Sequence, residues 1–308
     1  MSNNNIPDNV LINLPSLLGL RFNKIKSYHT SLKKSKTMLA GGNTSPFRGR
    51  GIDFSEVRLY QPGDDTRTID WRVTARTGKV HTKLFIEERE RPVLFVIDTG
   101  ASMQFGTQHA FKSVTAAKVA GTLAWSVVSH GDRVGGVFFA GNEHEEIKPA
   151  GGKKGLLQFF NKFVKWSKNQ FDVQAVSKPS SFLDVAVRLK RVARPGSLVY
   201  ILSDFNGMEE QAKNYLAQIA LHCDLVLINI YDELEYSPPP PGDYMITNGD
   251  TFGKISVDGK KFNSAVQRSF QEKVHSLNQY CIKHGMRFFS IKSGDDIFQI
   301  LRENKLLK

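Results

Sequence analysis

From Pro92 onward, continuous apolar runs alternate with stretches whose apolar residues recur every three or four positions. The runs VLFVID (93–98), DRVGGVFFAG (132–141), SLVYILSDF (197–205), DLVLINIYD (224–232) and MRFFSIKSG (286–294) carry little polar alternation, the pattern of strands covered on both faces. Between them, Phe111, Val114, Ala117, Gly121, Trp125 and Val128 share one helical face that stops near Gly131, and Val266, Phe270, Val274, Leu277 and Cys281 share another. GLLQFFNKFVKW, FLDVAVRLKRVA and MEEQAKNYLAQIALHC read as further helices, and EEIKPAGG as an antiparallel edge strand. Strands separated by helices predict an α/β fold with a doubly wound, mostly parallel sheet.

The chain before Pro92 has a different texture. Leu14, Leu17, Leu18 and Phe22 are spaced for one face of a helix, within a weakly helical stretch from Leu11 to Leu39 that the GGNTSPFRGRG loop breaks. Residues 51–92 then match Arg58, Arg67, Arg72, Arg76, Lys79, Lys83, Arg89 and Arg91 against Asp53, Glu56, Asp64, Asp65, Asp70, Glu87, Glu88 and Glu90. Such balance predicts an internal salt-bridge network over a nucleic-acid surface. The organisation expected is a basic, partly helical arm (1–50), a smaller charged subdomain (51–92) and a sheet domain (93–308). Near 237–262 a proline run and Asn-Gly and Asp-Gly turns predict a hairpin insertion with a rigid connection.

Charge adds a second candidate for function. The 308 residues carry a formal net charge of +12, and Arg21, Lys24, Lys26, Lys33, Lys34, Lys36, Arg48 and Arg50 follow one another with no acid between them. An arm of this kind either holds nucleic acid or an anionic membrane surface, with salt-sensitive affinity, or meets an acidic partner or simply stays solvated. Mean hydropathy is -0.31, and no apolar run approaches the roughly 18 residues of a membrane span. The first ten residues lack a secretory layout, so a cytoplasmic address is the expectation. Cys223 and Cys281 have no CxxC partner and read as reduced, buried thiols.

Ligands of open α/β sheets bind beyond the C-terminal strand ends, at the switch point of strand order. Two runs end on carboxylates, Asp98 and Asp204, and nearby loops offer the hydroxyls of Ser102, Ser180 and Ser181. Converging hard oxygen donors suit Mg2+ or Mn2+. Equally, Ser180 or Ser181 serves as a helix cap and Asp98 as an acceptor of backbone hydrogen bonds in its own loop. Trp71, among Arg67, Asp70 and Arg72, is either an exposed recognition spot or the anchor that packs its segment, and the anchor is preferred. Enzyme signatures are scarce: there is no G-x-x-x-x-G-K-[ST], no G-x-G-x-x-G after a strand and no G-x-S-x-G. His130 and His284 each precede a glycine at a helix end, where the dipole favours them without catalysis.

LYQPGDD, RTIDWRVTART and the EERERP entry to the first apolar run, followed later by YDELEYSPPPPGDY, resemble the bacterial family called domain of unknown function 58. The resemblance covers the chain from about Gly51 onward. It implies a Rossmann-like, von Willebrand factor type A-like domain bearing a metal-ion-dependent adhesion site, an Asp-x-Ser-x-Ser loop joined by a threonine and an aspartate from two other loops. By position these are Asp98, Gly100, Ser102, Ser181 and Asp204. Gly100 replaces the first serine and Ser181 the threonine, so the implied site is partly degenerate. In such sites an acidic residue of a partner completes the cation's shell, which places Thr99 and Gly100 among partner-binding candidates with Trp71, Arg67 and Arg72.

The function expected is a non-catalytic protein interaction module, cation-assisted through Asp98, Ser102, Ser181 and Asp204. The resemblance implies a MoxR-type AAA+ ATPase as partner, in chaperone-like assembly or maturation of other proteins. The alternative is nucleic-acid or anionic-membrane binding through residues 21–50. A metal-dependent hydrolase is the enzyme reading, for which no general base stands out near Asp98.

Overall fold

A computed structural model describes residues 7–22, 43–49, 53–172, 181–237, 239–247, 252–257 and 259–307. The chain divides into two compact units, Thr30–Arg91 and the remainder. Helix α1 (Leu14–Gly19) belongs to the larger unit. The smaller contains β1 (Asn43–Gly49), β2 (Asp53–Leu59), α2 (Trp71–Thr77) and β3 (His81–Arg89). Its strands form an antiparallel sheet in the order β1-β3-β2. Asp70 caps α2 by accepting from the Arg72 and Val73 amides, and Arg58 holds Asp64 at 2.7 Å, part of the expected charge network.

The larger unit continues with β4 (Pro92–Asp98), α3 (Lys112–Ser129), β5 (Arg133–Ala140), β6 (Glu143–Gly151), α4 (Gly152–Asp172) and α5 (Phe182–Val192). After these come β7 (Leu198–Ser203), α6 (Glu210–Ala220), β8 (Asp224–Tyr231) and α7 (Glu233–Tyr236). The hairpin β9 (Gly242–Thr247) and β10 (Phe252–Val257) follows, then α8 (Gly259–Lys283), β11 (Arg287–Lys292) and α9 (Ile297–Glu303). Six strands form one sheet in the order β11-β8-β7-β4-β5-β6, parallel except for the edge pair β5 and β6. This is the doubly wound α/β architecture expected, with the chain reversing direction across the sheet between β4 and β7.

Period-two alternation along β4 builds two cores at once. Val93, Phe95 and Ile97 join the helices α1, α3, α4 and α9 in one cluster, while Leu94 and Val96 join α5, α6 and α8 in the other. All seven residues of β4 are buried, which explains its unbroken apolar run. Gly135 and Gly136 follow from crowding at an irregular β5–β6 register. A Cβ at Gly136 would lie 2.1 Å from the Phe95 carbonyl oxygen, and one at Gly135 would lie 2.6 Å from that of Ile147.

The boundary expected at residue 50 is redrawn. Residues 7–22 pack within the larger unit, where Leu17 is fully buried and its carbonyl accepts from Trp125 Nε1 at 2.9 Å. A Cβ at Gly121 would meet Leu17 and Leu20 within 3 Å, so glycine in mid-helix makes room for this segment. Residues 43–49, read as part of the arm and of its helix-breaking loop, instead pair with β3. Lys24, Lys26, Lys33, Lys34, Lys36 and Arg50 lie outside the described residues. Among the described residues no helix is long and apolar enough to cross a membrane.

Candidate functional site

The loops beyond β4, β7 and β8 meet at the switch point, and two strand-end carboxylates anchor them. Asp98 is 1% exposed. Its Oδ1 accepts from the Gly100 amide at 2.9 Å, and its Oδ2 accepts from the Ser203 hydroxyl at 2.7 Å. Thr99 turns inward: its hydroxyl donates to the Phe139 carbonyl and accepts from Trp166 Nε1 at 2.8 Å. Thr99 is therefore buried structure, and the partner-binding expectation for it is corrected.

Asp204 is the centre of charge. Lys112 Nζ lies 2.8 Å from Asp204 Oδ2 and 2.8 Å from Glu235 Oε1, and both members of the Lys112–Asp204 pair are 1% exposed. The Asn206 amide donates to Asp204 Oδ1 and the Asn206 side chain to Oδ2. The Ser102 side chain adds a small lowering influence on the Asp204 carboxyl. Lys273 Nζ reaches the Asp204 carbonyl at 3.2 Å and Asn206 Oδ1 at 3.1 Å.

Burial works against both charges of the central pair. It pushes the Asp204 carboxyl up, but the adjacent Lys112 ammonium outweighs it and holds the group below its ordinary value. Burial pulls Lys112 down, but Asp204 and Glu235 together raise it above its ordinary value. For Lys273 burial wins and the ammonium is lowered, in spite of Glu235 and Asp204.

A second set of contacts closes the loops on one another. The Thr107 amide and hydroxyl donate to the two Asp232 carboxylate oxygens at 3.0 and 2.6 Å. Asp232 and Glu235 form a reciprocal capping box at α7, so the residue that ties down the β4 loop also orients the acid that meets Lys112. Next to Asp204, Phe205 has a left-handed φ of 53° and stacks on Phe182, a strained backbone held by aromatic packing.

The residues expected to hold a divalent ion do not fit one as they stand. Asp98 accepts from Gly100 on one oxygen and from Ser203 on the other, and Asp204 faces an ammonium. Ser181 caps α5, accepting from the Asp184 amide at 3.3 Å, while Ser180 lies outside the described residues. Gly100 has no hydroxyl to offer. Among the described residues, no group of three or more His, Cys, Asp and Glu is placed to hold a metal ion. Asp98, Ser102 and Asp204 do converge on the rim, whereas Ser181 is engaged as a cap.

Lys112, Glu235, Asn206 and Lys273 are absent from the sequence-level candidates. One signal marks Lys112: it is the first residue of an 18-residue helix with no acid in its first turn, an end where the dipole disfavours a cation. In the smaller unit Trp71 is 69% exposed, and Arg67 and Arg72 are exposed beside it in sequence. Cys223 and Cys281 are buried free thiols.

Uncharacterized proteins of Mycobacterium bovis and Mycobacterium tuberculosis are 28% identical over 223 residues, covering 72% of this chain and 68% of theirs. Among solved structures, the conserved hypothetical protein BatB from Bacteroides thetaiotaomicron is similar with a TM-score of 0.41 and 11% identity, over 70% of this chain and 97% of that one. A von Willebrand factor type A protein from Catenulispora acidiphila is similar with a TM-score of 0.35 and 12% identity, over 48% of this chain and 34% of that one. The family described as Protein of unknown function DUF58 matches residues 56–279. That match runs from β2 into α8, and the chain belongs to this family.

Proposed function

We propose that the protein is a non-catalytic interaction module that docks a protein partner on the rim beyond β4, β7 and β8. The observation that carries this reading is a pair of exposed aromatics on that rim. Phe105, in the loop after β4, is 41% exposed, and Tyr236, at the end of α7, is 40% exposed. Phe105 lies 6.0 Å from Lys112 Nζ, and Tyr236 packs edge-on to Phe270. Exposed aromatics on a rigid, hydrogen-bonded base are characteristic of binding hot spots. The carboxylates beneath them are engaged with ammonium, amide and hydroxyl groups, which favours binding over turnover. A MoxR-type AAA+ ATPase is the partner implied by the resemblance, in assembly or maturation of other proteins.

The test is affinity capture from source-cell lysate with wild type and a Phe105→Ala/Tyr236→Ala variant. Recovery of an AAA+ ATPase by wild type and its loss from the variant would support the reading. Equal recovery by both would remove the rim from it. Capture of only nucleic acid or lipid, lost on raising salt, would transfer function to the basic residues between Arg21 and Arg50.

A further inference from the structure

We propose that the ammonium of Lys112 is the permanent cation of this rim, occupying the place where the family resemblance puts a divalent ion. Three independent features point to it. The first is position: Lys112 Nζ lies 2.8 Å from Asp204, the strand-end carboxylate of the implied ligand set. The second is enclosure, since the lysine side chain is 1% exposed. Long ammonium side chains are almost never buried so completely unless paired. The third is its place at the first turn of α3, where the helix dipole opposes positive charge. A lysine kept there is held by its partners.

The ammonium also does what a metal ion would do for the architecture. It joins the β7 end, through Asp204, to α7, through Glu235, by way of a helix that starts beyond the β4 loop. An ion pair of this depth is directional and chemically permanent: chelators do not remove it. This goes beyond the interaction reading, since the cation's identity can be established without any partner. Its consequence for that reading is a rim whose binding is indifferent to divalent ions.

The experiment uses full-length protein and Mn2+ alone. Free Mn2+ is followed by electron paramagnetic resonance against wild type, Lys112→Arg and Lys112→Ala, with folding checked by circular dichroism. Wild type and Lys112→Arg are expected to bind no stoichiometric Mn2+. Lys112→Ala uncovers the oxygens of Asp204, Glu235 and Ser102 and is expected to bind one equivalent at least about tenfold more tightly than wild type, with a thermal midpoint that rises on adding Mn2+. One tight equivalent in wild type, or a folded Lys112→Ala that binds no better than wild type, would overturn the proposal. If Lys112→Ala does not fold, wild type alone decides. Its Gly100, Ser102 and Asn206 amide NMR signals should stay sharp with Mn2+, and selective paramagnetic broadening of them would overturn the proposal. Failure of the partner reading would instead appear as equal recovery by wild type and the Phe105→Ala/Tyr236→Ala variant in the capture assay, with these Mn2+ results unchanged.

Discussion

Ser203 donates its hydroxyl hydrogen to Asp98 across the tips of β7 and β4, at 2.7 Å and over 105 residues of sequence. The same Ser203 oxygen accepts from the Phe205 amide, which fixes the left-handed residue beside Asp204. Asp98 thereby acts as a brace between the two central strands.

Asp98→Asn keeps an acceptor for the Gly100 amide and can turn its new amide toward Ser203. It should cost about 1 kcal/mol in urea denaturation, whereas Asp98→Ala leaves buried donors unmade and should cost about 1–3 kcal/mol more. Equal losses would show that the brace does not depend on hydrogen bonding.

Removing the buried ammonium is predicted to be severe. Lys112→Met strands Asp204 in the interior and should destabilise by about 3–5 kcal/mol. The double variant Lys112→Met/Asp204→Asn should recover more than half of that loss, and an additive double variant would show that the two groups are not coupled.

The same pair sets a pH window. Asp204 is held below its ordinary 3.8, so its contribution is present above that value and is lost as pH falls through the lower folded value. Lys112 is raised above 10.5, so its contribution is complete below 10.5 and is lost as pH rises through the higher folded value. Thermal melts should therefore show a plateau from this pair between about pH 4 and pH 10. Lys112→Met/Asp204→Asn should flatten the acid limb relative to wild type.

Crowding at the β4–β5 seam gives a prediction free of charge. Gly136→Ala drives a methyl against the Phe95 carbonyl, where backbone must yield, and should cost about 1–3 kcal/mol or more. A denaturation midpoint unchanged from wild type would contradict the packing described for this seam.

Burial pushes the Cys281 thiol up to about 12, and Cys223 is buried with its sulfur 3.3 Å from the Arg194 carbonyl. Neither should react with a thiol-specific disulfide reagent at neutral pH in the native protein, while both should react in denaturant. Rapid labelling of native protein would argue that α8 opens locally.

The parts legible in sequence are those where burial is two-sided. β4 is legible because every residue is covered, and the edge strand β6 because its polar texture and Pro149 suit a strand with one free side. The small sheet of β1, β2 and β3 is hidden because β1 reads as a glycine- and proline-broken loop and β2 and β3 mix charged with apolar residues, so no continuous apolar run marks them. At the rim, Asp98 and Asp204 announce themselves as carboxylates at strand ends. Lys112 and Glu235 do not, because they meet over 123 residues and nothing local records the meeting. The packed segment from Ile12 to Leu20 also bears on any deletion experiment: removing the first fifty residues would strip a core element along with the basic ones. Neutralising Lys24, Lys26, Lys33, Lys34 and Lys36 leaves that segment intact and isolates the arm.

The strand order β6-β5-β4-β7-β8-β11 runs outward in two directions from β4, first through β5 and β6, then through β7, β8 and β11. On a ribosome, each strand that emerges finds its neighbour already made, and none must be inserted between two that have paired. Order of synthesis and order of assembly coincide along this sheet, which keeps waiting edges few as the domain emerges. The rim's charge cluster spans that order: Lys112 is made early, Asp204 later and Glu235 later still, so the cluster cannot close until the chain has passed β8.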